Sequence, residues 1–143
     1  MQPETHVQIA TSINGEDVKV DVSVRLNLVD FLRHSVGLTG AHVGCEAGAC
    51  GACTILVDGR LTRGCLMLAV QADGKSIETI EGADASGRLV RLQEAFSRLN
   101  ALQCGYCTPA MLLTAAELLR QNPKPSREDV REWISGNFCR CTG

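Results

Sequence analysis

Eight cysteines fall in this 143-residue chain as two groups of four, and that grouping limits what the chain can fold into more than any other feature. The opening stretch MQPETHVQIATSING has no charged region followed by an apolar run, and no twin-arginine export signal is visible. The expected compartment is therefore the cytoplasm, where thiols stay reduced and a disulfide scaffold is disfavoured. Metal binding is then the leading explanation, since four thiolates are what a [2Fe–2S] cluster or a structural zinc takes. Two domains of about seventy residues each would also have thin cores, which metals or partners commonly support.

Charge and hydropathy narrow the role. The chain has 14 basic and 16 acidic residues, a net charge of −2 with no basic block, so nucleic-acid binding has no electrostatic footing. Apolar residues make up 45% of the chain, as in a soluble globular protein. No stretch nears the roughly 18 apolar residues of a membrane span. There is no Ser/His/Asp set and no phosphate-cradling glycine loop, so no residue is assigned a catalytic role.

The first half reads as mostly β. Val7–Ile13 is rich in β-branched and apolar residues, Asn14-Gly15 is a two-residue hairpin turn, and Val18, Val20, Val22 and Val24 alternate with polar residues. Leu28–Val36 predicts a short helix with Leu28, Phe31 and Leu32 on one face. Thr54–Val57, Asp58-Gly59 and Arg60–Thr62 predict a second hairpin, Cys65–Ala72 a helical turn or two, and Ser76–Ile80 a last strand. Glu81 to Gly87 reads as a linker. Beyond it, Leu89, Leu92, Phe96 and Leu99 share a helix face. Thr108-Pro109 reads as N-cap and first-turn proline of a helix to Gln121, with Leu112, Ala115, Ala116 and Leu119 buried. Ser126 and Asp129 approximate a capping box for a helix to about Ser135, striped by Val130, Trp133 and Ile134. The expected fold class is α+β, a β-rich region 1–81 followed by a helical region 82–143, each with four cysteines.

Cys45, Cys50 and Cys53 form C-x4-C-x2-C, and Cys65 follows after eleven intervening residues. This is the plant-type ferredoxin spacing. Gly44, Ala47, Gly48, Ala49, Gly51 and Ala52 are tiny, which lets backbone N–H groups approach the sulfurs of an anionic cluster. Zinc sites usually use two close pairs across a loop, which three ligands within nine residues do not resemble.

Cys104 and Cys107 form C-x2-C ahead of the proline-started helix, and Cys139 and Cys141 form C-x-C near the chain end. Two antiparallel helices within the 31 residues between Cys107 and Cys139 would bring the pairs together. This spacing implies a tetrathiolate metal site without choosing between iron and zinc. A redox dithiol is disfavoured, because that motif expects a strand–helix setting. His6, His34 and His42 are expected to be structural rather than ligands, Glu46 a solvated carboxylate, and Tyr106 and Trp133 packing residues.

The strings TGAHVGCEAGACGACTILVDG, QCGYCTP and NFCRCTG, in that order and separation, resemble the two-cluster iron–sulfur subunits of the xanthine oxidase family of molybdenum hydroxylases. The resemblance spans roughly residues 7 to 143. It implies a plant-type, β-grasp ferredoxin domain followed by a four-helix-bundle domain. It implies that Cys45, Cys50, Cys53 and Cys65 ligate an outer [2Fe–2S] cluster, and Cys104, Cys107, Cys139 and Cys141 an inner one. Gly44, Gly48, Gly51 and Gly105 would shape the cluster loops. Gln103 and Cys141 would lie against a molybdenum–pterin cofactor across a subunit interface.

Further implied are a large molybdenum-binding subunit and a medium FAD-binding subunit, in a heterotrimer or a dimer of heterotrimers. The chain would be their non-catalytic electron relay. Two departures are noted. Relatives generally continue past CRCTG whereas this chain stops at Gly143, and Ala110 stands where many have glycine. A diffusible two-cluster ferredoxin and a zinc-stapled interaction module are the alternative readings.

Overall fold

A computed structural model describes residues 5–142. Gly143, where the chain stops, lies outside the described residues.

Strands β1 (His6–Ile13) and β2 (Glu16–Ser23) form the first expected hairpin, turning at Asn14 and Gly15, both with positive φ. The turn matches the right-handed strand twist because both central residues take that conformation. The predicted helix after it is present as α1 (Leu28–Asp30), which widens into a π-type turn over Phe31–Ser35. Asn27 caps it by accepting the N–H of Asp30 at 2.8 Å. Leu28, Val29, Phe31 and Leu32 are all fully buried beneath the sheet.

The second hairpin joins β3 (Thr54–Val57) to β4 (Arg60–Arg63) through Asp58 and Gly59. Two 3-10 turns, Gly64–Leu66 and Ala69–Ala72, lead to β5 (Ser76–Glu78). The mixed sheet has the order β2-β1-β5-β3-β4, with β1 and β5 parallel and the other neighbours antiparallel.

The expected linker is corrected. Residues Ile80–Ala85 form a helix, α2, with Ala83 fully buried, and the chain breaks only at Gly87, where φ is +74°. Helices α3 (Val90–Arg98), α4 (Thr108–Gln121) and α5 (Arg127–Ile134) follow. Three further details differ from the periodicity reading. Leu99 lies past the end of α3 and is 70% exposed, so it joins no buried face. The N-cap of α4 is Cys107, with Thr108 already helical. The buried stripe of α4 runs through Leu112, Leu113, Ala116 and Leu118, leaving Leu119 outside and Ala115 half-buried. The helix is packed on two sides, which one amphipathic stripe cannot express.

The capping box of α5 is present, Ser126 accepting from the Asp129 N–H at 3.1 Å and Asp129 from that of Ser126 at 2.8 Å. Its apolar stripe is shallow: Trp133 and Ile134 are half-buried and Val130 is exposed. Helix α5 is therefore held by its cap and its neighbour α4 more than by a core. Ser126→Ala is expected to lower stability by about 1 kcal/mol, read as a fall in melting temperature at neutral pH. The Ser126 contacts hold the Asp129 carboxyl below its ordinary value. That stabilisation is present above the unfolded-state pKa and disappears as pH falls through the lower folded one. The gap between parent and variant should therefore narrow in acid; a gap that widened would count against the capping account.

Two apolar clusters meet at one strand. All four residues of β3 are buried. Ile55 and Val57 point into the core with Phe31, Leu32 and Ile77, while Leu56 points the other way, against Ala83, Leu89, Leu112, Leu113 and Ala116. A strand covered on both faces reads as an unbroken apolar run, as TILV does. Among the described residues no helix is long and apolar enough to cross a membrane.

Candidate metal centres

The hairpin register builds the first centre. Thr54 pairs with Arg63, and the Gly64 N–H donates to the Cys53 carbonyl at 3.1 Å, so the chain delivers Cys65 beside Cys53. Cys53 is 2% exposed, and burial pushes its thiol up to about 11, with Cys65 close enough to perturb it. A neutral buried thiol becomes a ligand only when a metal ion displaces its proton.

Cys45 is in the opposite situation. It is exposed, and the N–H groups of Cys50 at 3.3 Å and Ala47 at 3.4 Å aim at its sulfur. These donors bring its pKa down to about 7, the backbone of Cys50 contributing most. Positive φ at Glu46, Gly48 and Gly51 curls the loop so that its N–H groups turn inward. Glu46, read from sequence only as a solvated carboxylate, contributes through its backbone. Gly44 has a different reason to be glycine: a Cβ there would stand 2.9 Å from the Cys50 sulfur.

The helices build the second centre. Cys107 immediately precedes α4, and Cys139 follows α5 after a short return segment. Cys107 and Cys139 interact through their side chains. Burial pushes the Cys107 thiol up to about 11, while the Thr142 hydroxyl and N–H bring Cys139 down to about 7. The Tyr106 N–H lies 3.5 Å from the Cys104 sulfur, and Gly105, with φ of +79°, makes that turn. Gln103 Nε2 reaches the Cys141 carbonyl at 3.5 Å, and Gln103, Cys104 and Cys141 are all exposed.

Both centres suit a two-iron cluster. Cys45 lies beside Cys50, Cys53 beside Cys65 with Cys50 near enough to act on it, and Cys107 beside Cys139 with Cys104 near enough to act on it. Two thiolates per iron is what a four-cysteine [2Fe–2S] cluster requires, and N–H donors to sulfur are its usual support.

The structure brings the two centres together through residues that the cysteine spacing does not reveal. Phe138, next to Cys139, donates its N–H to the Cys50 carbonyl at 2.8 Å. Asn137, 6% exposed, donates to the Gly51 carbonyl at 3.1 Å and accepts from the Thr114 hydroxyl at 3.0 Å. Arg63 donates to Thr54 Oγ1 and, at 2.8 Å, to the Gly136 carbonyl. His42 bridges the loops on the other side. Its ring stacks on Tyr106 at 4.4 Å, its Nδ1 lies 2.7 Å from the Tyr106 carbonyl, and Tyr106 OH donates to the Val43 carbonyl at 2.9 Å. Asn137 is spelled out in NFCRC, yet no periodicity points to a partner 86 residues away.

Comparison with known proteins agrees with this geometry. Residues 11–80 match the 2Fe-2S iron-sulfur cluster binding domain family, and residues 79–143 the [2Fe-2S] binding domain family. The chain is 52% identical over 141 residues to the nicotine 6-hydroxylase small subunit of Paenarthrobacter nicotinovorans, covering 99% of this chain and 85% of that one. It is 50% identical over 142 residues to the caffeine dehydrogenase subunit gamma of Pseudomonas sp. (strain CBB1), covering 97% and 84% respectively. The crystal structure of quinoline 2-oxidoreductase from Pseudomonas putida 86 matches with a TM-score of 0.89 and 52% identity, over 96% of this chain and 85% of that one.

Proposed function

The chain belongs to the iron–sulfur small subunits of the xanthine dehydrogenase family of molybdenum hydroxylases, and from that premise we propose which of its residues carry the electrons. Its role in such a complex is electron transfer, not bond-making. Cys45, Cys50, Cys53 and Cys65 hold the outer cluster, and Cys104, Cys107, Cys139 and Cys141 the inner one. A [2Fe–2S] cluster at each set supplies a one-electron store.

The rest is done by the chain. The N–H groups of Ala47 and Cys50, and of Tyr106 and Thr142, point their positive ends at the sulfurs and favour the anionic centre. The exposed Gln103, Cys104 and Cys141 are where a molybdenum–pterin held by a large subunit would approach the inner set. The exposed Cys45 loop is the side that would face FAD on a medium subunit. The carrying observation is the hydrogen bond from Phe138 to the Cys50 carbonyl: one short contact links the backbone of an outer ligand to the residue before an inner one.

The division into regions 1–81 and 82–143, a four-helix bundle for the second, a heterotrimer or its dimer, and a cytoplasmic setting complete the reading. The relatives' names point to nitrogen heterocycles, so the complex is proposed to oxidise a substrate of that class. The test is metal analysis with low-temperature EPR on the dithionite-reduced complex, purified with its partners. About four irons per chain and two distinct signals are expected. Zinc without a signal would sink the relay, about two irons with one signal would remove the second centre, and purification without molybdenum would favour a diffusible ferredoxin.

A further inference from the structure

Arg63, like Arg33, donates to neutral oxygens rather than to an acid, and its partners lie beside both cysteine groups. It is half-buried, and among the described residues no carboxylate pairs with it. A cation drawn out of water usually needs a counter-charge. Its guanidinium instead joins two backbone segments. It donates to Thr54 Oγ1, one residue past Cys53, and to the carbonyl of Gly136, three residues before Cys139. Arg63 is itself two residues from Cys65.

The surroundings are arranged to admit it. A Cβ on Gly136 would lie 2.7 Å from its Nη2. Thr54 Oγ1 is turned to accept by donating to the Gly51 carbonyl at 2.5 Å, and Asn137 Nδ2 approaches the same hydroxyl at 3.4 Å. Every buried side-chain nitrogen and oxygen among the described residues has a partner, so this network is complete without an acid.

We infer that Arg63 is a positioning residue whose fixed charge lies between the two centres, serves as their shared counter-ion, and makes both easier to reduce. The inference rests on the two-cluster reading above. Reduction adds one electron, and so one negative charge, to a centre already made anionic by four thiolates. A neighbouring cation held in a partly desolvated place favours that added charge. The fork shape lets one side chain grip both segments, which a point charge on a lysine stem cannot do as rigidly.

The test is a dithionite redox titration of the assembled complex, followed by EPR, for the parent, Arg63→Gln and Arg63→Lys. Arg63→Gln is expected to shift both signals to more negative potential. The size should be about tenfold in each reduction equilibrium, or about 59 mV for one electron. Arg63→Lys should keep both potentials near the parent values. Full cluster content in Arg63→Gln with unchanged potentials, or a shift in one signal only, overturns the inference.

If Arg63→Gln does not load its clusters, Arg63→Lys decides. Loading with parent-like potentials supports the charge, and failure to load shows that only the shape of the fork matters, which overturns it. Two signals in the parent within the same titration keep a failure here distinct from a failure of the two-cluster reading.

Discussion

Replacing Cys107 with serine in the assembled complex should remove one of two EPR signals, lower iron from about four to about two per chain, and stop electron delivery to the acceptor. Cys107 caps the start of α4 and sits half-buried beside Cys139, its thiol pushed up to about 11 by that burial. Only metal binding makes a thiolate there, so the position has no other evident use for sulfur. A hydroxyl is a far poorer ligand for iron, and the loss in turnover should exceed the roughly 10–100-fold typical of changes outside the ligand shell. Cys45→Ser should remove the other signal, and together the two variants assign the spectra. Survival of both signals with full iron in Cys107→Ser would refute the ligand assignment.

Gly51→Ala should be the most damaging single methyl in the chain, at about 3 kcal/mol. Gly51 has a φ of +74°, which strains any side chain, and its Cβ would stand 2.2 Å from the Gly136 carbonyl oxygen. Backbone strain of this kind costs about 1–3 kcal/mol by itself. The collision adds to it, because the atom in the way is backbone and the segment is tied down by Asn137 and Arg63. Gly59→Ala is the control. Its φ is +72°, yet nothing lies within 4 Å of a Cβ there, so it should show the strain alone. Thermal melts of both variants separate the two effects; equal losses would mean that the contact between loop 50–54 and segment 136–138 is not tight.

How far this could be read beforehand varied with the kind of signal. Both hairpins followed from Asn14-Gly15 and Asp58-Gly59, because such turns leave few alternatives to the backbone. The cluster of Cys45, Cys50 and Cys53 followed from their closeness in sequence, whereas the approach of Cys139 to Cys107 depends on α4 and α5 returning the chain across 31 residues. The stretch 81–87 was misread because a six-residue helix has no visible period, and its glycine at 82 suggested a break. Gly82 instead abuts Asn14, whose Oδ1 would be 2.3 Å from a Cβ there. Leu113 and Leu118 escaped the single-stripe reading of α4, which did include Leu112, because β3 and α5 both pack on this helix. Arg63, Thr54, Asn137 and Gly136 were invisible as a group. The contacts that reach Gly136 and Asn137 cross more than seventy residues, and no local rule records which carbonyl a distant guanidinium will find.

The two faces of β3 have a consequence for how such a chain can be inherited. Leu56 is a sheet residue by sequence, yet it is packed among the helices, so the second core is finished by a side chain from the first family region. A recombination event that cut near residue 80 would transplant the helical region with a hole where Leu56 had been. The cut respected by sequence families and the cut respected by packing are therefore different, and a fusion that joined this helical region to an unrelated ferredoxin would also have to carry over a leucine on the outer face of its third strand.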